Sequence, residues 1–405
     1  MRQITKMILI SLLFSLLIST QEAIANTIYH NVPITGTSKP SQLDKRIITL
    51  MRIWGIPGGS VTKIRDGHII FAHGYGFANI HEQRKVNVDD LFRIGSISKT
   101  ITATAILQLV QQEKLHLWWH AYEILNDITP LNYRHTNQEI YQITVKNLLN
   151  MSSGWDTSSP SASDPMFGPW TYTMRHQLQE NGAMTPPTCY EAARMMMSIP
   201  MQFRPGTQYS YSNVNYCLLG LIINKITKQP YGYQTYESYV QSHILKPIGI
   251  TDMRIGSDKW EDRSPQEVTY YSGRNNNNNP DGLPYSSLHT ILKDNYADGG
   301  WIASSKDIAK FFYALGSGKI IDSYMLKTMF ARPSFHHHWW SYFGLGGIRR
   351  YTYPDWYWIK TGSFTGTAAI AIYQSNGIAY AALFNISPPD KFKFLKEVER
   401  ILTRT

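Results

Sequence analysis

Between Ser41 and Trp54 the apolar residues Leu43, Ile47, Leu50 and Trp54 fall on one helical stripe, and the Pro57-Gly58-Gly59 that follows ends it. The period then changes. Residues 60–64 and 68–78 read as two strands joined at Arg65-Asp66-Gly67, since Asp-Gly supplies the backbone that a tight hairpin turn demands. After Ser96 a third pattern begins. Residues 97–115 are apolar on most sides and rich in Ala, Thr and Leu, which predicts a helix buried inside the protein. Residues 144–155, 188–199 and 216–227 are further helix candidates.

The C-terminal part changes character again. Residues 342–353, 355–362 and 367–386 read as strands, the last stretch folded back at Asn376-Gly377, another hairpin signal. The chain closes with a helix after Pro388-Pro389-Asp390, whose apolar face is Phe394, Leu395, Val398, Ile401 and Leu402. Strands at both ends thus flank a mostly helical middle. That order predicts an antiparallel sheet completed from both termini, flanked by N- and C-terminal helices, with a helical lobe inserted between its strands. Two long polar stretches, 156–188 and 257–295, carry no periodicity; the second contains Arg274, five asparagines and Pro280-Asp281-Gly282. Loops of this length commonly frame a site or move.

Composition adds a compartment. The chain has 405 residues, 43% hydrophobic and only 17% charged, enough apolar material for a large core. Arg2 and Lys6 precede an apolar run, Met7 to Ile18, and Ala23-Ile24-Ala25 is a small-x-small cleavage site. The run is too short to span a bilayer, so a removable signal peptide is expected at 1–25, with an exported mature chain from Asn26 and no transmembrane helix in it. Two cysteines, Cys189 and Cys217, lie in the mature part, and an oxidising compartment allows them to pair; the alternative is that Cys217 is a small core residue. The formal charge is +10, and losing Arg2, Lys6 and Glu22 with the leader lowers it by one. The basic residues are dispersed without a Lys/Arg block, which points to a generally positive surface and not to a nucleic-acid site.

Three short motifs carry candidate chemistry. In Phe92–Thr100, Ser96 and Lys99 stand three apart, which on a helix puts the amine within reach of the hydroxyl. A serine hydroxyl is a poor nucleophile until a base takes its proton, and the start of a helix offers a backbone N–H to a developing oxyanion. Alone, the pair is better read as a capping serine followed by a solvated lysine. The second motif is Tyr211-Ser212-Asn213, just before an apolar helix. A phenol held near a lysine can act as general base toward the serine, and an asparagine can present its amide to a substrate carbonyl. With 26 tyrosines in the chain, an aromatic cluster around a turn is the plainer reading of Tyr209, Tyr211 and Tyr216. The third is Lys360-Thr361-Gly362 at the end of a strand, followed by Ser363. The glycine lets substrate lie along the strand edge, the lysine offers a positive charge for a carboxylate, and the Ser363 N–H offers a second oxyanion donor.

Together and in this order the three motifs resemble those of serine β-lactamases and penicillin-binding proteins. The branch is the one with Tyr-x-Asn in the middle: class C β-lactamases, DD-carboxypeptidase-like enzymes and related esterases. Residues 57–80 resemble the opening hairpin of that family, 143–155 its "LLxHTSG" helix end and 297–311 its "GGLxSTAxDLAxF" segment. The resemblance spans roughly residues 40 to 404. It implies an α/β sandwich lobe (40–95 and 300–404), a helical lobe (about 96–299) and a cleft between them, with residues 26–39 as an N-terminal extension. It further implies Ser96 as acylated nucleophile, Lys99 and Tyr211 as proton-transfer partners, Asn213, Lys360, Thr361 and Gly362 as substrate-binding, and Ser96 and Ser363 N–H groups as an oxyanion hole. No metal or cofactor is implied. The implied substrate is an amide or ester, such as a D-amino-acid peptide of the cell wall or a β-lactam. Two departures stand out. The chain has residues 115–125 where the family often has "LDLDDPV", and the "HTSG" histidine position is Asn150 or Met151. His336-His337-His338 resembles a metal cue, yet consecutive strand side chains point to opposite faces, so surface chemistry is expected there.

Overall fold

The computed structural model describes residues 32–36, 39–131, 137–156, 188–228, 235–257, 262–272, 297–364 and 366–404. The expected leader, nearly all of 156–188 and most of 257–295 lie outside them.

The first helix, α1 (Gln42–Trp54), starts in a capping box. Ser41 Oγ accepts from Leu43 N at 3.2 Å while Asp44 accepts from Ser41 N at 2.6 Å; the helix stops at Gly55, whose φ is +64°. Strands β2 (Gly58–Arg65) and β3 (His68–Asn79) follow, turned at Asp66 and Gly67 with φ of +51° and +82°. Positive φ at both central residues is what a type I′ hairpin needs. Residues Ile34–Gly36 form a short strand, β1, on the outer edge of β3, pairing Ile34 with Tyr75 and Gly36 with His73. The sheet therefore begins inside the 26–39 segment expected to be an extension. The physical reason is that β3 would otherwise leave an edge of unpaired backbone groups.

Three short strands, β4 (Arg84–Lys85), β5 (Phe92–Arg93) and β6 (Trp301–Ala303), come next, and near the chain's end are β7 (Ser341–Phe343), β8 (Ile348–Thr352), β9 (Asp355–Phe364), β10 (Thr367–Gln374) and β11 (Ile378–Phe384). Residues 342–353 thus make two strands, turned at Gly344–Gly347, with Gly346 at φ +91°. Among the described residues the main sheet runs β1-β3-β2-β11-β10-β9-β8-β7, and every neighbour pair is antiparallel. The β11–β2 pairing, from Ile378–Arg65 to Phe384–Gly59, joins the two ends of the chain.

The sheet is covered on both faces, which is why β10 and β11 are apolar at nearly every position. Ile370, Ile372, Tyr380 and Ala382 face a core shared with α1 and α8 (Lys391–Thr403), where Phe394 and Val398 are fully buried. Ala369, Ala371, Ala379 and Ala381 face the other way, toward α6 (Ser305–Gly316), which α7 (Ser323–Phe330) follows in the chain, and toward the helical lobe. That lobe contains α2 (Ser98–Gln111), α3 (Val145–Leu149), α4 (Cys189–Met196) and α5 (Val214–Ile226). Helix α2 is buried at 11 of its 14 positions, matching its all-round apolar sequence. Cys189 and Cys217 are joined, Cα atoms 5.3 Å apart, and tie α4 to α5. No helix of the described residues is long and apolar enough to cross a membrane.

Candidate active site

The nucleophile candidate sits where the sheet meets the helical lobe. Phe92–Arg93 pairs with Trp301–Ala303 in a small sheet, and a single 3-10 turn, Gly95–Ile97, leads into α2. Ser96 is therefore one turn ahead of the helix and not inside it. Three ties hold the turn: Ile94 N donates to Trp301 O at 3.1 Å, Thr367 Oγ1 to Arg93 O at 2.8 Å, and buried Arg93 Nε to Glu267 at 2.9 Å.

Two donors converge on Ser96 Oγ: Lys99 Nζ at 3.1 Å and Tyr211 Oη at 2.7 Å. Lys99 is fully buried and also donates to Asn213 Oδ1 and to the carbonyl of Asp298, both at 2.7 Å. The Asp298 carboxylate lies 3.7 Å from the same nitrogen and is itself 1% exposed. The motif residues 115 positions apart in sequence are thus in hydrogen-bond contact, which the chain order alone does not require.

Lys360 approaches from β9. Its Nζ is 4.9 Å from the ring centres of both Tyr211 and Phe343. Burial holds its proton affinity well below the ordinary lysine value, and the Lys99 charge lowers it further. The expectation of a fixed positive charge is modified accordingly: burial disfavours that charge, and a carboxylate beside it would offset the cost.

The backbone of β9 presses against the Ser96 turn. A side chain at Gly362 would run into Ile94 O and lie 2.9 Å from Ser96 N, and one at Gly95 (φ +51°) would lie 2.8 Å from Ser363 N. Only glycines at both places allow the Ser96 and Ser363 amides this close approach, with Thr361 and Ser363 half-buried at the cleft edge.

Of the aromatic cluster read around Tyr211, the members take separate places. Tyr216 donates to Leu149 O at 2.8 Å and stays protonated through burial, its ring 5.7 Å from Lys99 Nζ. Tyr209 packs on Phe343 at 5.6 Å and on His336 at 5.3 Å. His336 is half-buried and its protonation is disfavoured by burial and then by His337 and His338. Among the described residues no group of three His, Cys, Asp or Glu side chains is placed to hold a metal ion. Sequence reasoning missed two residues of the site, Phe343 and Asp298. A lone acidic residue in the otherwise apolar and glycine-rich 297–303 was the available signal for the second.

The sequence profile of the Beta-lactamase family matches residues 43–403. Protein flp of Staphylococcus aureus (strain N315) is 29% identical over 213 residues, which are 52% of this chain and 37% of that protein. The chain thus spans well under half the length of that relative. Among solved structures, the D-amino acid amidase from Ochrobactrum anthropi SV3, complexed with L-phenylalanine amide, is similar at TM-score 0.68 and 24% identity, covering 90% of this chain and 98% of its own. The octameric penicillin-binding protein homologue from Pyrococcus abyssi is similar at TM-score 0.64 and 23% identity, covering 88% and 76%. At these identities the likeness concerns the fold: an antiparallel sheet with a helical lobe, as the sequence pattern predicted, and β-lactamase/transpeptidase-like, as the motif resemblance implied.

Proposed function

This chain belongs to the Beta-lactamase family, and from that premise we propose that it is an exported serine hydrolase working through an acyl-enzyme at Ser96. The observation that carries the reading is the convergence of Lys99 Nζ and Tyr211 Oη on Ser96 Oγ, at 3.1 and 2.7 Å. A hydroxyl so placed can lose its proton as its oxygen attacks a carbonyl. The attack forms the Oγ–carbon bond, and the amides of Ser96 and Ser363 stabilise the resulting oxyanion. Collapse breaks the bond to the leaving amine or alcohol, which takes the proton. Water then hydrolyses the ester on Ser96. Asn213, Lys360, Thr361 and Gly362 bind the substrate along β9.

The substrate is an amide or ester. Burial of Lys360 favours one that brings a carboxylate to it, such as a D-amino-acid peptide or a β-lactam. The neighbouring amidase acts, by its name, on D-amino acid amides, and neutral amides and esters are the alternative class.

A fluorophosphonate probe followed by mass spectrometry tests the acyl-enzyme, on protein expressed with its own leader in a Gram-negative host. The expected result is a single adduct on the Ser96 peptide, absent in Ser96→Ala, on a species lacking residues 1–25 in the periplasmic fraction. An unlabelled Ser96 in folded protein would overturn the hydrolase reading, and an unprocessed cytoplasmic product would overturn export. A panel of β-lactams, D-Ala-D-Ala peptides and p-nitrophenyl esters then separates the substrate classes.

A further inference from the structure

The site holds two buried lysines and one phenol, and of these Lys99 Nζ and Tyr211 Oη lie within hydrogen-bond reach of Ser96 Oγ. Around Lys99 Nζ stand Ser96, Asn213, the rings of Tyr211 and Tyr216, Lys360 from β9, and both the carbonyl and the carboxylate of Asp298. An ammonium has three protons to donate, and three acceptors lie within 3.1 Å: Ser96 Oγ, Asn213 Oδ1 and Asp298 O. The carboxylate of Asp298 then sits behind the same nitrogen at 3.7 Å, with both side chains almost wholly removed from water. A buried ion pair is poor evidence for stability, because desolvating two charges offsets most of their attraction. Its effect on charge state is less ambiguous, since opposite charges at this distance favour each other's ionised forms.

Resting on the hydrolase reading above, with Tyr211 as the proton acceptor that the family resemblance implies, we infer that Asp298 is a positioning residue that holds Lys99 as an ammonium ion donating to Ser96 Oγ. The step balances as a single transfer. The Ser96 O–H bond breaks and a Tyr211 O–H bond forms, the 2.7 Å contact running in reverse with Tyr211 as phenolate. Lys99 keeps its proton throughout and stabilises the phenolate before transfer. The leaving group later takes the proton from Tyr211. Asp298 is assigned its effect through Lys99, the nitrogen its carboxylate faces at 3.7 Å.

The test is the pH profile of fluorophosphonate labelling in wild type, Asp298→Asn and Asp298→Glu, with melting curves alongside. Losing the carboxylate lets Lys99 lose its proton more readily. The alkaline limb of the Asp298→Asn profile is therefore expected to move to lower pH by about one unit, with labelling at pH 7 slower by about tenfold or more. Asp298→Glu is expected to restore the limb, a result that a merely structural role would not produce. An unmoved limb in a folded Asp298→Asn variant overturns the inference while leaving the hydrolase reading intact; an unlabelled wild-type Ser96 overturns both. Should the variants fail to fold, nitrogen-15 lysine spectra of the wild type decide the matter. An ammonium signal from Lys99 at pH 7, assigned through Lys99→Arg, supports the inference, and a neutral amine signal overturns it.

Discussion

Lys360 shows how one residue's burial couples chemistry to stability. Its proton affinity is well below the ordinary lysine value of about 10.5, first because burial removes water and second because Lys99 is charged. Between the lowered folded value and about 10.5 the unfolded chain binds more protons than the native one, so stability rises with pH through that window. Below it the cost of the buried charge is fully present. Lys360→Met is accordingly expected to melt at a higher temperature than wild type at pH 7, with the gain shrinking as pH approaches about 10.5, while Ser96 labelling slows. Calorimetry across that range checks it, and a variant less stable than wild type at pH 7 would count against the burial argument. A site that costs stability to keep its chemistry is the common trade-off in enzymes.

At the scale of elements, the decisive contact is between β9 and the turn that carries Ser96. Gly362 has Ile94 O and Ser96 N where a side chain would go, and both are backbone atoms that cannot swing aside. Gly362→Ala is expected to cost about 1–3 kcal/mol through overpacking. The same shift moves the Ser96 and Ser363 amides apart, so labelling should fall by about a hundredfold, the usual scale for a lost oxyanion donor. Urea unfolding and labelling rates measure the two effects separately, and an alanine variant that labels as fast as wild type would show that the amides do not act together. The helices were legible wherever one face was polar: the stripe of Leu43, Ile47, Leu50 and Trp54 defines α1 to within a residue. Strand β1 was not legible, because three residues carry no period and only the open edge of β3 makes them a strand. The length of α3 was also hidden. Residues 144–155 read as one helix candidate, but Met151 at φ +60° and Gly154 at +114° end it early.

At the scale of the whole molecule, two cores separated by one sheet make the far side of the protein thermodynamically important and chemically remote. Phe394 of α8 is fully buried against Trp54 and Phe384, on the face of the sheet opposite Lys360. Phe394→Ala is expected to cost about 3–5 kcal/mol by leaving a cavity, yet to leave the labelling rate of the folded fraction unchanged. Denaturant titration with an unchanged m-value, beside labelling kinetics, checks this; a parallel loss of labelling rate would mean that α8 steadies the cleft through the sheet. The sequence by itself determined the order of strands, helices and strands, the antiparallel sheet and the residue types of the three motifs, because periodicity and turn chemistry are local properties. Only the tertiary structure decided which side chains meet. It brought Tyr211 and Lys360 to Ser96 from distant parts of the chain, set Asp298 behind Lys99, and buried Lys360 deeply enough to disfavour its charge. Those outcomes depend on packing between elements far apart in sequence, and on the removal of water that packing alone produces.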